Sequence, residues 1–197
     1  EKKIKLKLEN IPEPVVDGIF TYAINDDKKT YTLIRCDLNE SQTELTIPSM
    51  CQGKPVTAIG SIALCQGREN HLVRIVISEG IERIEDGAFA LCTLLQDIYI
   101  PQSVEEIGGF AFRYCLSLKN LFIPKNVIKI DDDAFEDCQN LKTILCESAE
   151  ELPGWSRSWL YSFGKNIILG ASQPKETQIE PNSIKWQTIE DFLISQE

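Results

Sequence analysis

The stretch Leu95-Gln96-Asp97-Ile98-Tyr99-Ile100-Pro101-Gln102-Ser103-Val104-Glu105-Glu106-Ile107-Gly108-Gly109-Phe110-Ala111-Phe112-Arg113-Tyr114-Cys115 is one copy of a unit that recurs at constant spacing. Units start at Leu72, Leu95, Leu118 and Leu141, so the interval from Leu72 to Leu95 is kept twice more. Within them Ile75, Ile98, Leu121 and Ile144 keep step, as do Ile77, Ile100, Ile123 and Cys146. Further on come Ile81, Val104 and Val127, then Ile84, Ile107 and Ile130. The pairs Ala88-Phe89, Ala111-Phe112 and Ala134-Phe135 follow, and then Cys92, Cys115 and Cys138. A fixed period of this length is the mark of a solenoid, in which no unit buries its apolar face alone and stacked neighbours make a continuous core.

Each unit has a physical reading. Leu-x-x-Ile-x-Ile ends in apolar and polar alternation, the pattern of a short strand with one buried face. Pro48, Pro101 and Pro124 follow that strand and stop its hydrogen-bond ladder. A second extended stretch such as Val104–Ile107 buries two apolar side chains and exposes Glu105 and Glu106. Ala-Phe-x-x-Cys then predicts a compact turn, helical or 3₁₀, with Phe and Cys inward. An earlier unit, Leu45 to Leu64, is stretched by five residues around Cys51-Gln52-Gly53-Lys54-Pro55 and by two more before Leu72. Gly and Pro there predict a looped-out turn. The count is about four and a half units.

The pattern Ile-Pro-x-x-Val-x-x-Ile-Gly-x-x-Ala-Phe-x-x-Cys, as in Ile100–Cys115, resembles the BspA-like (Treponema pallidum-type) leucine-rich repeats. Thr46–Ile59 is similar to the opening unit of such arrays, with its Gln52-Gly53-Lys54-Pro55-Val56 turn. The resemblance covers residues 45–147. It departs at Ser78 and Glu147, which stand where proline is expected, and at Cys65-Gln66-Gly67, where the cysteine is displaced. The fold class it implies is a leucine-rich-repeat solenoid of short parallel strands and turns, capped at both ends.

The segments around the repeats read as caps. Phe20–Ile24 and Tyr31–Cys36 flank Asn25-Asp26-Asp27-Lys28-Lys29, a hairpin signal, so residues 1–44 are expected to form an N-terminal cap. Repeats occupy 45–147, and 148–170 is expected to be a C-terminal cap. There Trp155 and Trp159 cover the open end, and a ligand-stacking pair is the competing reading. Residues 171–182 read as a linker. Ile184, Thr188, Ile189, Phe192 and Leu193 lie at helical spacing, so a short amphipathic helix closes the chain, docked on the solenoid or on a partner.

Composition narrows the function. With 30 acidic against 20 basic residues the net charge is −10, which argues against a general phosphate-backbone binder. The alternating Lys2–Lys7 run reads as a strand with a solvated face. No stretch reaches the roughly 20 apolar residues of a membrane-spanning helix. Residues 1–20 lack a signal-peptide apolar core, while a start at Glu1 leaves a removed export signal open.

Of seven cysteines, three recur once per repeat, and no CxxC pair exists. They read as buried, free thiols packing as small hydrophobes, not as disulfides or zinc ligands. Cys36 and Cys51 fall outside the repeat ladder, and a disulfide between them stays open though nothing in the spacing supports it. His71 is the one histidine, at a unit junction. Asp131-Asp132-Asp133 lacks the glycine and terminal glutamate of an EF-hand loop and falls on a repeat turn. No nucleophile elbow, P-loop or HExxH motif is present. The expectation is a non-enzymatic chain without cofactor or metal.

In leucine-rich repeats, the resemblance implies, the regular strand lines the concave face. Register puts Arg74 and Val76, Asp97 and Tyr99, Asn120 and Phe122, Thr143 and Leu145 on its outward side. At about 4.8 Å per strand, Val76, Tyr99, Phe122 and Leu145 form an exposed apolar stripe roughly 15 Å long. Such a patch marks a partner surface. Cover by the chain's own last helix and simple cross-strand packing are the competing readings.

The resemblance implies a bacterial cell-surface or secreted adhesion module binding host, matrix or neighbouring-cell protein. Free cysteines and the missing signal peptide point instead to a cytoplasmic, reducing setting. A structural spacer or self-assembling module is the alternative function.

Overall fold

The computed structural model describes residues 12–65, 70–160 and 166–171. The Lys2–Lys7 run and the 184–194 segment lie outside the described residues.

The repeat builds two parallel ladders of strands, one on each side of a shared core. The first contains β4 (Glu44–Ile47), β7 (Arg74–Ile77), β9 (Asp97–Tyr99), β11 (Asn120–Ile123), β13 (Thr143–Cys146) and β14 (Asn166–Leu169). Its hydrogen bonds run in two halves, β4-β7-β9 and β11-β13-β14, with β9 and β11 adjacent. The second contains β3 (Tyr31–Cys36), β6 (Lys54–Ile59), β8 (Arg83–Ile84), β10 (Glu106–Ile107) and β12 (Lys129–Ile130). Register follows the sequence period: Arg74 sits beside Asp97, Asn120 beside Thr143, and Thr143 beside Asn166.

Among the described residues the first ladder therefore has six strands, against the four and a half units counted in the sequence. The additional coil keeps the offset of the others, with Cys146 paired to Leu169 just as Ile123 pairs with Cys146. Its motif is obscured because Gly164 stands where the leading leucine is expected and Trp159 takes the place of the phenylalanine in the stack.

Where proline follows the strand, the ladder stops. At the two departures it runs one rung further, because Ser78 N–H donates to the Ile47 carbonyl at 3.1 Å and Glu147 N–H to that of Ile123 at 3.0 Å. The five-residue insertion is a tight hairpin: β5 (Met50–Cys51) pairs antiparallel with the start of β6. Gln52 and Gly53, at φ of 46° and 77°, supply the two left-handed residues such a hairpin requires.

The Ala-Phe-x-x-Cys segment forms the expected compact turn, and at the matching place of the last coil, around Trp159, residues Arg157–Leu160 form a 3₁₀ helix. Bonds of i to i−3 type do form, as from Ala90 N–H to Gly87 and from Cys92 N–H to Phe89. Left-handed residues interrupt them, however. Ile62, Gly87, Phe110 and Asp133 precede the alanines, and Leu91, Tyr114 and Asp137 precede the cysteines, all at φ between 54° and 64°. In the three Ala-Phe-x-x-Cys coils these two reversals bend the chain within single turns.

One core runs from Tyr22 to Trp159. Phe89, Phe112 and Phe135 stack face to face, centroids 5.2 and 5.4 Å apart, and Trp159 closes the stack edge-on at 6.0 Å. Trp155 meets Trp159 edge-on at 5.2 Å and donates its indole N–H to the Val127 carbonyl at 3.0 Å. Both tryptophans are buried packing groups, which disfavours a ligand-stacking role.

At the other end the antiparallel strands β1 (Val15–Asp17), β2 (Phe20–Ile24) and β3 head the second ladder. Asp27 shapes the β2–β3 turn, accepting the N–H groups of Lys29 and Thr30 at 2.8 and 2.9 Å.

Candidate protein-interaction face

Alternation along the first ladder sends Leu45, Ile47, Ile75 and Ile77 inward and leaves two rows outward. One row is Glu44, Arg74, Asp97, Asn120 and Thr143. Arg74 lies between two acids, its guanidinium 3.0 Å from Glu44 and 3.6 Å from Asp97. Neither pair is deeply buried, so each holds geometry more than it adds stability, about 0.2–1 kcal/mol by analogy with exposed pairs.

The other outward row is Thr46, Val76, Tyr99, Phe122, Leu145 and Ile168. It is not the continuous exposed stripe expected from the sequence. Thr46 is exposed and Val76 and Tyr99 are half-buried, but Phe122 is 7% exposed and Leu145 0%. Those two join Ala171 in a small core of their own on the outward side, and Thr143 beside them is buried as well. Alternation along a strand predicts which way a side chain points, not what another part of the chain lays over it. The accessible face is thus the half built on β4, β7 and β9.

The model for BspA-type leucine-rich-repeat regions matches residues 39–154 as six copies. The chain belongs to that family. A leucine-rich repeat protein from Bacteroides capillosus is 30% identical over 68% of this chain and 99% of its own, with a TM-score of 0.59. The Treponema pallidum leucine-rich repeat protein shares the fold at 23% identity, 68% and 71% coverage and a TM-score of 0.55. The pneumococcal vaccine antigen PcpA is similar over 91% of this chain but only 44% of its own length, at 22% identity and a TM-score of 0.55. No curated protein matches significantly.

In this BspA-type array the cysteines are packing groups. All seven are free, and Cys92, Cys115 and Cys138 are fully buried. Cys115 and Cys138 donate their thiols to the Phe89 and Phe112 carbonyls of the preceding coil at 3.4 and 3.0 Å. Burial pushes the Cys92 thiol up to about 12 and Cys115 well above its usual range, so neither is an activated nucleophile. Cys36 and Cys51 are both free.

The Asp131–Asp133 run is divided among local roles. Asp131 pairs with Lys129 at 2.8 Å, Asp132 accepts the hydroxyls of Ser156 and Ser158, and Asp133 takes a left-handed turn position. Among the described residues no three His, Cys, Asp or Glu side chains converge on a metal site.

One concavity had no signal in the sequence. An open polar hollow of about 670 Å³ lies where the N-terminal hairpin meets the second ladder, lined among others by Asn25, Asp27, Thr32, Thr57, Glu82 and Arg83. Its walls come from segments as distant in the chain as Asn25 and Arg83, so no local motif announces it. Asn25 is spent on Thr30 and Thr32, and Asp27 on its own turn.

Proposed function

We propose that this chain is a non-enzymatic recognition module that engages a protein partner through the outward face of the first ladder. The family resemblance favours a bacterial surface setting and a host, matrix or neighbouring-cell protein as that partner. The supporting observation is the pairing of half-exposed Val76 and Tyr99 with Arg74, which is pinned between Glu44 and Asp97. An apolar patch rimmed by fixed charges suits a protein surface, with Tyr as its anchor. Asn120, Phe122, Thr143 and Leu145 continue the same ladder, and their role depends on what covers them.

The test compares the intact chain with a Val76→Ser, Tyr99→Ser double variant. Both side chains are outside the inner core, so melting should stay close to that of the parent. Proteins retained by the parent from host-cell or matrix preparations should be lost with the variant. Equal retention by both, or no specific retention by the parent, rejects the reading.

A further inference from the structure

Asp37-Leu38-Asn39-Glu40-Ser41 lies between β3 and β4 and takes no part in the repeat. Asn-x-Ser, with any residue but proline in the middle, is the acceptor pattern for N-linked glycosylation. Nowhere else in the chain does an asparagine stand two residues before Ser or Thr. Bacterial oligosaccharyltransferases require in addition an acid two places before the asparagine, and Asp37 stands there.

A pattern this short counts only where the fold presents it. Asn39, Glu40 and Ser41 are all exposed, while Leu38 beside them packs on the core and anchors the loop. The Gln42 N–H donates to the Asn39 carbonyl at 3.1 Å, which closes a turn over Asn39–Gln42. The Asn39 side chain is held on that turn: its Oδ1 accepts the Ser41 N–H at 3.0 Å and the Ser41 hydroxyl at 2.7 Å. Both bonds fall on the amide oxygen. The amide nitrogen, which a sugar would join, has no hydrogen-bond partner among the described residues. Amide and hydroxyl, the two groups an acceptor site must offer together, thus sit side by side at the surface. Asp37 is exposed too, and its pair with Arg35 at 2.6 Å is a surface pair weak enough to yield to another cation.

We propose that Asn39 is an N-glycosylation site, recognised through Asp37, Asn39 and Ser41 by an oligosaccharyltransferase of the bacterial type. Modification requires export, and so rests on the surface setting proposed above. In the reaction Nδ2 forms a bond to C1 of the first sugar as the bond from C1 to the diphosphate of a lipid-linked oligosaccharide breaks. The diphosphate leaves with that electron pair, and one amide proton passes to a base of the transferase. Asn39 shortly precedes β4, which among the described residues has a strand neighbour on one side alone, β7. A bulky, hydrated glycan rooted there would hinder other chains from pairing with that edge.

The experiment exports the full chain to the periplasm of a bacterial host that carries such a transferase, its lipid-linked oligosaccharide and an established acceptor protein as control. The chain should gain the mass of one glycan, on the peptide that holds Asn39. Asn39→Gln and Ser41→Ala should abolish the gain and Asp37→Ala should reduce it several-fold, with melting close to that of the parent throughout. The purified, folded chain incubated with transferase and donor should be modified at the same residue. An unmodified chain beside a modified control, or a glycan on another residue, overturns the proposal. Modification of the unfolded chain alone also overturns it, because the fold would then not present the loop. Partner retention plays no part in these outcomes, so the two readings fail separately.

Discussion

The Asp132 carboxylate accepts the Ser158 hydroxyl at 2.7 Å, and the Ser156 hydroxyl shares the same oxygen. One turn residue of the last full repeat thereby holds the segment that carries Trp155 and Trp159. These two donors keep the Asp132 carboxyl below its ordinary value. Asp27 is lowered in the same way at the opposite end, by the N–H groups of Lys29 and Thr30 and by the Thr30 hydroxyl.

Both caps should therefore loosen in acid. A carboxyl with a depressed folded pKa contributes stability above its unfolded value, about 3.9, and loses it as pH falls through the folded value. In a Trp186→Phe background, where Trp155 and Trp159 are the remaining tryptophans, emission reports the C-terminal cap and should begin to shift red below roughly pH 4. Asp132→Asn should remove the acid-dependent part of that shift. An identical pH profile in the variant would reject the latch.

Ile62 carries a β-branched side chain at φ 55° and is 65% exposed. Left-handed backbone costs a β-branched residue roughly 1–2 kcal/mol, and asparagine much less. Ile62→Asn should raise stability by about 0.5–1 kcal/mol in urea unfolding. A loss would mean that the packing of Ile62 over Gly87 outweighs the strain.

Glu147 offers a test against the family pattern. Its N–H donates to Ile123, and its carboxylate accepts Gln102 Nε2 at 2.6 Å and Lys125 N–H at 3.1 Å, binding together three coils. Glu147→Pro restores the residue common at this position and loses all three bonds. It should destabilise by about 2–3 kcal/mol, whereas Ser78→Pro, losing one backbone bond, should cost about 1 kcal/mol. Equal midpoints in thermal melts of the two variants would refute the difference.

Thiol chemistry should sort the cysteines by burial. Cys65 is partly exposed and the other six are buried, so iodoacetamide at neutral pH should label Cys65 first. The rest should react only at the rate of unfolding, as read by peptide mass spectrometry. A thiol pushed up on folding stabilises below its unfolded pKa and loses that contribution as pH rises through the folded value. For Cys36, Cys92 and Cys146 this window runs from near 9 up to about 12, so stability should decline there. Cys92→Ala should flatten part of that decline.

The buried half of every coil was legible in the residues. Ile75, Ile98, Leu121 and Ile144 face the core because a strand has period two and each repeat restores the same phase. The cysteines were legible for the same reason. The sixth coil was not, because Gly164 and Trp159 break the motif while backbone pairing, which is blind to side-chain identity, carries β14 on in register. The turn geometry was hidden too: Ile62, Phe110 and Asp133 share one left-handed conformation despite unlike chemistry, so no residue type marks the position.

The candidate face divides along the same line. Sequence period alone determined that Arg74, Val76, Tyr99, Phe122 and Leu145 point away from the core, because orientation along a strand is a local, steric property. Which of them meet solvent was decided only in the tertiary structure. Gly170 turns Ala171 onto Phe122 and Leu145 and leaves Val76 and Tyr99 half-exposed. Burial depends on every segment that comes within reach in space, and no sequence repeat encodes where the chain that follows it will lie.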